Sequence, residues 1–123
     1  MTYQLSQRSL DRMKGVDERL VNVVKRAIEI SEIDFVVTEG LRTKERQAAL
    51  FKAGATRTMN SKHLVGKAVD LAALVDGTVR WDWPLYAKLA DAMKRAAEIL
   101  NVEIEWGGDW ITFKDGPHFQ LKD

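Results

Sequence analysis

One carboxylate constrains this chain more than any other residue. Asp70 stands inside Ala68-Val69-Asp70-Leu71-Ala72, a run that otherwise reads as a short buried strand. An ionised carboxylate is costly in such a place unless it is paired or bound to a metal. The fold must therefore bring a partner to it. Gly66 offers a turn just ahead of the strand, and folding back there would let Asp70 approach the imidazole of His63.

The rest of the chain alternates helical and strand patterns. Asp17 suits a helix N-cap, with Val16 and Val21 spaced for a hydrophobic staple, and Leu20, Val23, Val24, Ala27 and Ile28 recur at helical spacing. This predicts an amphipathic core helix over 18–31. Phe35 to Thr38 is β-branched and aromatic and reads as a strand. Thr43 can cap a helix running to about Ala53, where Gly54 supplies a left-handed stop. Residues 55–62 read as a polar loop. Pro84 suits the first turn of a long helix with Leu85, Leu89, Met93, Ala96 and Leu100 on one face. Val102 to Trp106 and His118 to Leu121 alternate like strands. A short meander at the C-terminal end argues against regular βαβ repetition, so the expected class is α+β, helices packed on a small antiparallel sheet. With 123 residues, 46% of them hydrophobic, and no repeat or linker, one domain over 1–123 is expected, and a monomer.

Composition narrows the chemistry. The chain has no cysteine, which removes thiolate metal sites, redox motifs and a cysteine nucleophile. Any metal must sit on His, Asp or Glu. The first ten residues carry no apolar run, so no signal peptide is expected, and no stretch approaches a membrane span. Between Leu41 and Lys67 seven basic residues (Arg42, Lys44, Arg46, Lys52, Arg57, Lys62, Lys67) face one acid, Glu45. That is either a solvated helix face with a polar loop or a surface for a polyanion. Phe51 is the only aromatic residue in it, and no stacking or groove-reading motif accompanies it, so nucleic acid is not expected as a partner.

There are only two histidines. His63 follows the polar loop, and His118 opens a strand after Asp115-Gly116-Pro117. His63, Asp70 and His118 make a plausible zinc set, because three protein ligands leave a fourth position for water. Asp115, three residues before His118 across a Gly-Pro turn, is the natural general base beside it. A salt-bridged Asp70 with two unrelated histidines fits the spacing nearly as well.

The order Ser61-x-His63-x-x-Gly66-x-Ala68-x-Asp70, followed by Asp115-x-x-His118-x-Gln120, resembles the VanY-type D-Ala-D-Ala carboxypeptidase and L-alanyl-D-glutamate endopeptidase family, phage endolysins included. The likeness extends to Thr38-Glu39-Gly40-Leu41-Arg42-Thr43 with Glu45, Arg46 and Gln47, and to Trp106-Gly107-Gly108-Asp109-Trp110. It implies a hedgehog/DD-peptidase-like fold and a zinc peptidase acting on peptidoglycan. His63, Asp70 and His118 match the zinc ligands, Asp115 the catalytic acid/base, and Arg42 the arginine that steadies the developing oxyanion. Ser61 matches a residue at the substrate end of the site. Trp106 and Trp110 flank two glycines where backbone can approach a ligand, and Trp106 is the substrate-binding candidate, although most tryptophans are core. Asp109 is a candidate partner for a ligating imidazole, or else a turn cap.

Asp115 stands where carboxypeptidase members often carry Glu, which favours the endopeptidase branch. The resemblance then implies an endolysin without a membrane anchor that accumulates in the host bacterial cytoplasm until it is released to the wall. The alternatives are a D-Ala-D-Ala carboxypeptidase and a non-catalytic zinc-binding interaction module on the same fold, as in hedgehog signalling domains.

Overall fold

The computed structural model describes residues 2–56 and 58–123; Arg57, of the basic stretch, lies outside them. Helix α1 (Gln7–Arg12) leads into α2 (Glu18–Ile30), strand β1 (Asp34–Glu39) and α3 (Lys44–Lys52). A 3-10 turn at Lys62–Val65 delivers the chain to β2 (Ala68–Val75) and β3 (Thr78–Arg80). Helix α4 (Trp83–Leu100), β4 (Ile104–Trp106), a second 3-10 turn at Gly107–Asp109 and β5 (His118–Leu121) complete the order.

The strands form one antiparallel sheet in the order β1-β2-β5-β4, with β3 paired to the far end of β2. The expected α+β class with helices on a small antiparallel sheet is what the chain adopts. Strand periodicity divides the sheet's two faces. Val69 and Leu71 of β2, with Phe119 and Leu121 of β5, are fully buried beneath the helices. Burying each such side chain stabilises the fold by about 1.5–3 kcal/mol.

Helix α2 forms as its pattern predicts. Asp17 accepts from the Arg19 N–H at 2.9 Å, and Leu20, Val23, Val24, Ala27 and Ile28 are its buried stripe. It packs against α4, whose buried face includes Leu89, Met93 and Ala96. Asn101, in the left-handed region at φ 57°, ends α4.

Two elements serve the opposite, polar side of the sheet. Helix α3 is capped by Thr43 as expected, but its only buried residue is Gln47, so it contributes almost nothing to the apolar core. The 3-10 turn at Lys62–Val65, which begins at the last residue of the expected loop, ends at Gly66 with φ 71°. A Cβ at Gly66 would run into the carbonyl oxygen of Gly15, so both the dihedral and the close approach require glycine there. The polar side of the sheet is thus walled by α3 and that turn.

Candidate active site

Antiparallel register assembles the polar row. Residues opposite each other on paired strands share a face, and Glu39 of β1, Asp70 of β2 and His118 of β5 are consecutive partners. Between Val37 and Glu39 the register shifts. That irregularity changes which side chain of β1 meets Asp70, as bulges beside functional sites do. Thr38 Oγ1 bridges the gap by donating to the Asp70 carbonyl at 3.3 Å.

His63 arrives from the 3-10 turn. Ser61 caps this turn, its Oγ accepting from the His63 N–H at 3.1 Å. The two imidazoles then converge on one oxygen: His63 Nε2 lies 3.2 Å and His118 Nδ1 3.3 Å from Asp70 Oδ1. Their rings meet edge-on, with centroids 5.0 Å apart.

Two imidazole nitrogens on one carboxylate oxygen need either hydrogens or a metal ion between them. The outward nitrogens favour the metal. His63 Nδ1 is 2.8 Å from the Gly40 carbonyl, which can only accept, so the proton sits there and Nε2 presents a lone pair. His118 Nε2 is likewise engaged by Gln120 Oε1 at 2.8 Å, leaving Nδ1 inward. All three ligand atoms lie within 4.8 Å of one another. A tetrahedral ion with arms of about 2.0–2.1 Å would separate its ligand atoms by about 3.3 Å, close to the nitrogen–oxygen spacings here. The residues fit a zinc-like divalent cation.

Burial by itself would raise the Asp70 carboxyl. With hydrogens rather than a metal ion between them, the bonds from His118 and His63, and their charge, more than offset it and hold Asp70 well below the usual carboxylate range. His118 shows the reverse balance. Burial works against its charged form, but the bond to Asp70, that residue's charge and the bond to Gln120 raise it above the ordinary imidazole value.

Asp115 lines the same cavity, a cleft of about 570 Å³ that also contains His63, Asp70, His118 and Arg42. Its carboxyl is raised from the usual value by burial first and by the negative charge of Asp70 second, against opposition from His118, His63 and Arg42. The turn that carries it is pinned on three sides. Its N–H donates to the Gly107 carbonyl at 3.0 Å, the Trp106 indole N–H donates to Gly116 O at 2.7 Å, and Leu71 N–H donates to Pro117 O at 2.9 Å. A side chain at Gly107 would collide with the Asp115 carbonyl.

Arg42 sits in the cleft wall with only 7% of its side chain exposed. Its Nε and NH2 donate to the two oxygens of Glu39 at 2.8 and 2.9 Å, and its NH1 to Gln47 Oε1 at 2.7 Å. Gln47, fully buried, donates onward to the Thr58 carbonyl. Arginine has five N–H donors. Three are committed to fixing its plane, so two remain for something in the cleft. NH2 also lies 3.6 Å from Asp70 Oδ2.

His63, Asp70, His118, Asp115, Arg42 and Ser61 therefore come together around one cavity. Trp106 does not join them. It is buried in a stack between Trp83 and Phe119, and its one polar atom is spent on Gly116. The substrate-contact expectation for Trp106 is corrected to a packing and turn-holding role. Trp110 takes the place in the cleft, with its ring 5.2 Å from that of His118. Asp109 touches neither imidazole; it pairs with Lys94 at 2.6 Å on the surface. The basic stretch is not one continuous face either. Arg42 points inward, and Lys62 Nζ donates to the Leu121 and Asp123 carbonyls. Glu39, Gln47 and Gln120 were part of the motifs but had no assigned role. The three-residue spacing of Glu39 and Arg42 was the one local signal that could have paired them.

Residues 1–121 match the model of a family described as phage L-alanyl-D-glutamate peptidase. Across 98% of its length the chain is 37% identical to the L-alanyl-D-glutamate peptidase of Listeria phage A118, spanning 43% of that protein. It is 33% identical to the peptidoglycan L-alanyl-D-glutamate endopeptidase CwlK of Bacillus subtilis (strain 168), a match covering 81% of this chain and 68% of that one. The crystal structure of the L-Ala D-Glu endopeptidase ChiX of Serratia marcescens superposes with a TM-score of 0.92 at 44% identity, covering 98% of this chain and 90% of that one. The vancomycin resistance D,D-pentapeptidase VanY, solved in complex with Zn(II), shares the fold at a TM-score of 0.61 and 19% identity, over 98% of this chain and 78% of that one.

Proposed function

The chain belongs to the phage L-alanyl-D-glutamate peptidase family, and on that premise we propose that it is a zinc-dependent peptidase cleaving the L-alanyl-D-glutamate bond of peptidoglycan stem peptides. The observation that carries this reading is the pair of imidazole nitrogens at 3.2 and 3.3 Å from one Asp70 oxygen, beside a part-buried carboxyl and a fixed guanidinium. The relatives' names supply the bond, because the Listeria phage, Bacillus and Serratia proteins are all named for L-alanyl-D-glutamate cleavage.

His63 through Nε2, His118 through Nδ1 and Asp70 would hold the zinc. When bound, zinc supplies a Lewis acid that polarises a carbonyl and lowers the pKa of water to about 7. Asp115 accepts the proton of the attacking water as the new C–O bond forms. The raised carboxyl can then release that proton to the leaving amine nitrogen as the C–N bond breaks, so one group serves both half-steps. Arg42 directs its two uncommitted donors at the carbonyl oxygen as negative charge develops there. Glu39 and Gln47 hold the guanidinium still, so little reorganisation is needed at that moment. Ser61 and Trp110 border the cleft as substrate contacts.

Among the described residues no helix is long and apolar enough to cross a membrane. Accumulation in the host cytoplasm before release to the wall belongs to this same reading. Digestion of purified peptidoglycan tests the assignment. New N-terminal D-glutamate is the expected product by mass spectrometry. Free D-alanine would identify a carboxypeptidase instead, and an undigested wall with zinc bound would leave an interaction module.

A further inference from the structure

We infer that Glu105 and Gln120 are positioning residues of the metal centre, a two-residue relay that turns the Nδ1 lone pair of His118 toward the ion. The inference rests on the zinc reading of the site and extends it across the sheet.

The polar row does not stop at His118. Gln120 follows it two residues on, so both project from the same face of β5, and Gln120 is the cross-strand partner of Glu105 on β4. The contacts run in line. His118 Nε2 is 2.8 Å from Gln120 Oε1, and Gln120 Nε2 donates to Glu105 Oε2 at 3.0 Å.

The logic starts at the far end. A carboxylate has no hydrogen to give, so the face of the Gln120 amide turned toward Glu105 must be its NH2. That fixes Oε1 toward His118. A carbonyl oxygen can only accept, so His118 must carry its proton on Nε2, and Nδ1 is left as the ligand atom facing Asp70. With the amide reversed, an NH2 would face Nε2 and drive the proton to Nδ1, where it would occupy the ligand position. Glu105 thus selects the amide orientation, and the amide selects the tautomer. For His63 a backbone carbonyl does the same work directly, since Gly40 O cannot be reversed. A side-chain amide can be reversed, and this is why His118 needs the second residue. Gln120 lines the cleft that holds the ligands, whereas Glu105 lines a second cleft along β4. The relay therefore reaches from one to the other.

The test measures zinc affinity by competition with a chromophoric chelator, alongside the unfolding midpoint of each metal-free protein. Outer partners of ligating imidazoles are typically worth 10–100-fold in metal affinity. Gln120→Leu should weaken zinc binding by about that factor, and Glu105→Leu by a smaller one, because the freed amide can sample both orientations. The decisive variant exchanges the two groups. Glu105→Gln with Gln120→Glu keeps the charge and the atoms, places a carboxylate as acceptor beside His118, and gives it an amide donor from position 105. It should bind zinc within about threefold of the wild type if acceptor geometry is what matters. In the zinc-loaded wild type, the His118 Nε2 proton should also appear by NMR as a slowly exchanging, hydrogen-bonded ring proton. Should Gln120→Leu fail to fold, Glu105→Leu and this ring proton decide the matter. Unchanged affinity in Gln120→Leu, an exchanged pair that binds as weakly as Gln120→Leu, or a rapidly exchanging ring proton in the wild type would each overturn the relay. A wild-type protein that takes up no zinc sinks the metal reading itself, and that result is distinct because it precedes any variant.

Discussion

Two clefts of nearly equal volume share Trp110 in their linings, one running along β5 and the other along β4. One, about 570 Å³, holds His63, Asp70, His118, Asp115 and Arg42; the other, about 530 Å³, is bordered by Lys94, Glu98, Glu103, Trp106, Asp109 and Lys122. Size does not tell them apart, and both are rich in charge. The difference lies in how the charge is kept. In the first cleft the side chains of His63 and Arg42 are 1% and 7% exposed, and each hydrogen bond fixes a particular atom toward the centre. In the second, Lys94 and Asp109 pair at 2.6 Å with about half of each side chain in water. Charges that stay solvated cost little and imply little. Charges drawn out of water and aimed at one point are expensive, and a fold that maintains them does so for chemistry.

If that contrast is right, the largest effect should follow from Asp115→Asn. Loss of a general acid/base typically costs 10²–10⁴-fold in rate, and peptidoglycan hydrolysis should fall by about that much while zinc content stays near one per chain. The metal-free variant should also be more stable than the parent. The sign follows from the raised carboxyl. Folded Asp115 binds its proton more tightly than the unfolded chain does, so its contribution is favourable at low pH and is lost as pH rises from the ordinary value through the folded one. Above that range the ionised group is a net cost, which asparagine removes. A thermal melt of the two metal-free proteins checks the direction. Hydrolysis that survives the substitution would take Asp115 out of the mechanism.

Removing a ligand comes next. His63→Ala should lose stoichiometric zinc, measured by metal analysis after dialysis, because two remaining donors cannot complete the site. Full occupancy in that variant would dismantle the ligand set. For Arg42→Lys the expected loss is about 10–10³-fold in rate with zinc retained, since a lysine keeps the charge but cannot be held in a plane by Glu39 and Gln47. A lysine variant with wild-type rate would show that only the charge matters there.

How much of this could be read from the chain alone depended on distance along it. Caps and periodicity are local, so α2, α3, α4 and the strand around Asp70 were legible from Asp17, Thr43, Pro84 and the Ala68–Ala72 run. Helix α1 was not, because it has no apolar stripe. Leu10 alone of the helix packs on the core, and polar contacts tie it to β1, where Ser9 Oγ accepts from Val37 N–H and Arg12 donates to Val37 O, both at 3.0 Å. Strand β3 is exposed along its whole length and left no alternation to find. In the site, residue types and order were enough to nominate His63, Asp70, His118 and Asp115. Which of Trp106 and Trp110 faces the cleft was not accessible, because the answer turns on the 3-10 turn at Gly107–Asp109 that separates them. The partnership of Gln120 with Glu105 was hidden for a related reason. It is a matter of strand register, and register depends on the whole sheet rather than on either segment.

The smallest expected effect belongs to the second cleft and is the sharpest control on the comparison. Asp109→Asn removes the partner of Lys94 and leaves that lysine over the Trp106 ring, 5.2 Å from its centroid. An exposed ion pair is worth about 0–1 kcal/mol, so the unfolding free energy should change by no more than that, and salt should diminish even this difference. Zinc affinity and hydrolysis should match the parent, because Asp109 touches neither imidazole and the turn carrying Asp115 is held by backbone groups and the Trp106 indole. A tenfold loss of activity from this one substitution would mean that the solvated Lys94–Asp109 pair, and not Glu105 alone, reaches the reaction from the second cleft, and degree of burial would no longer separate the two.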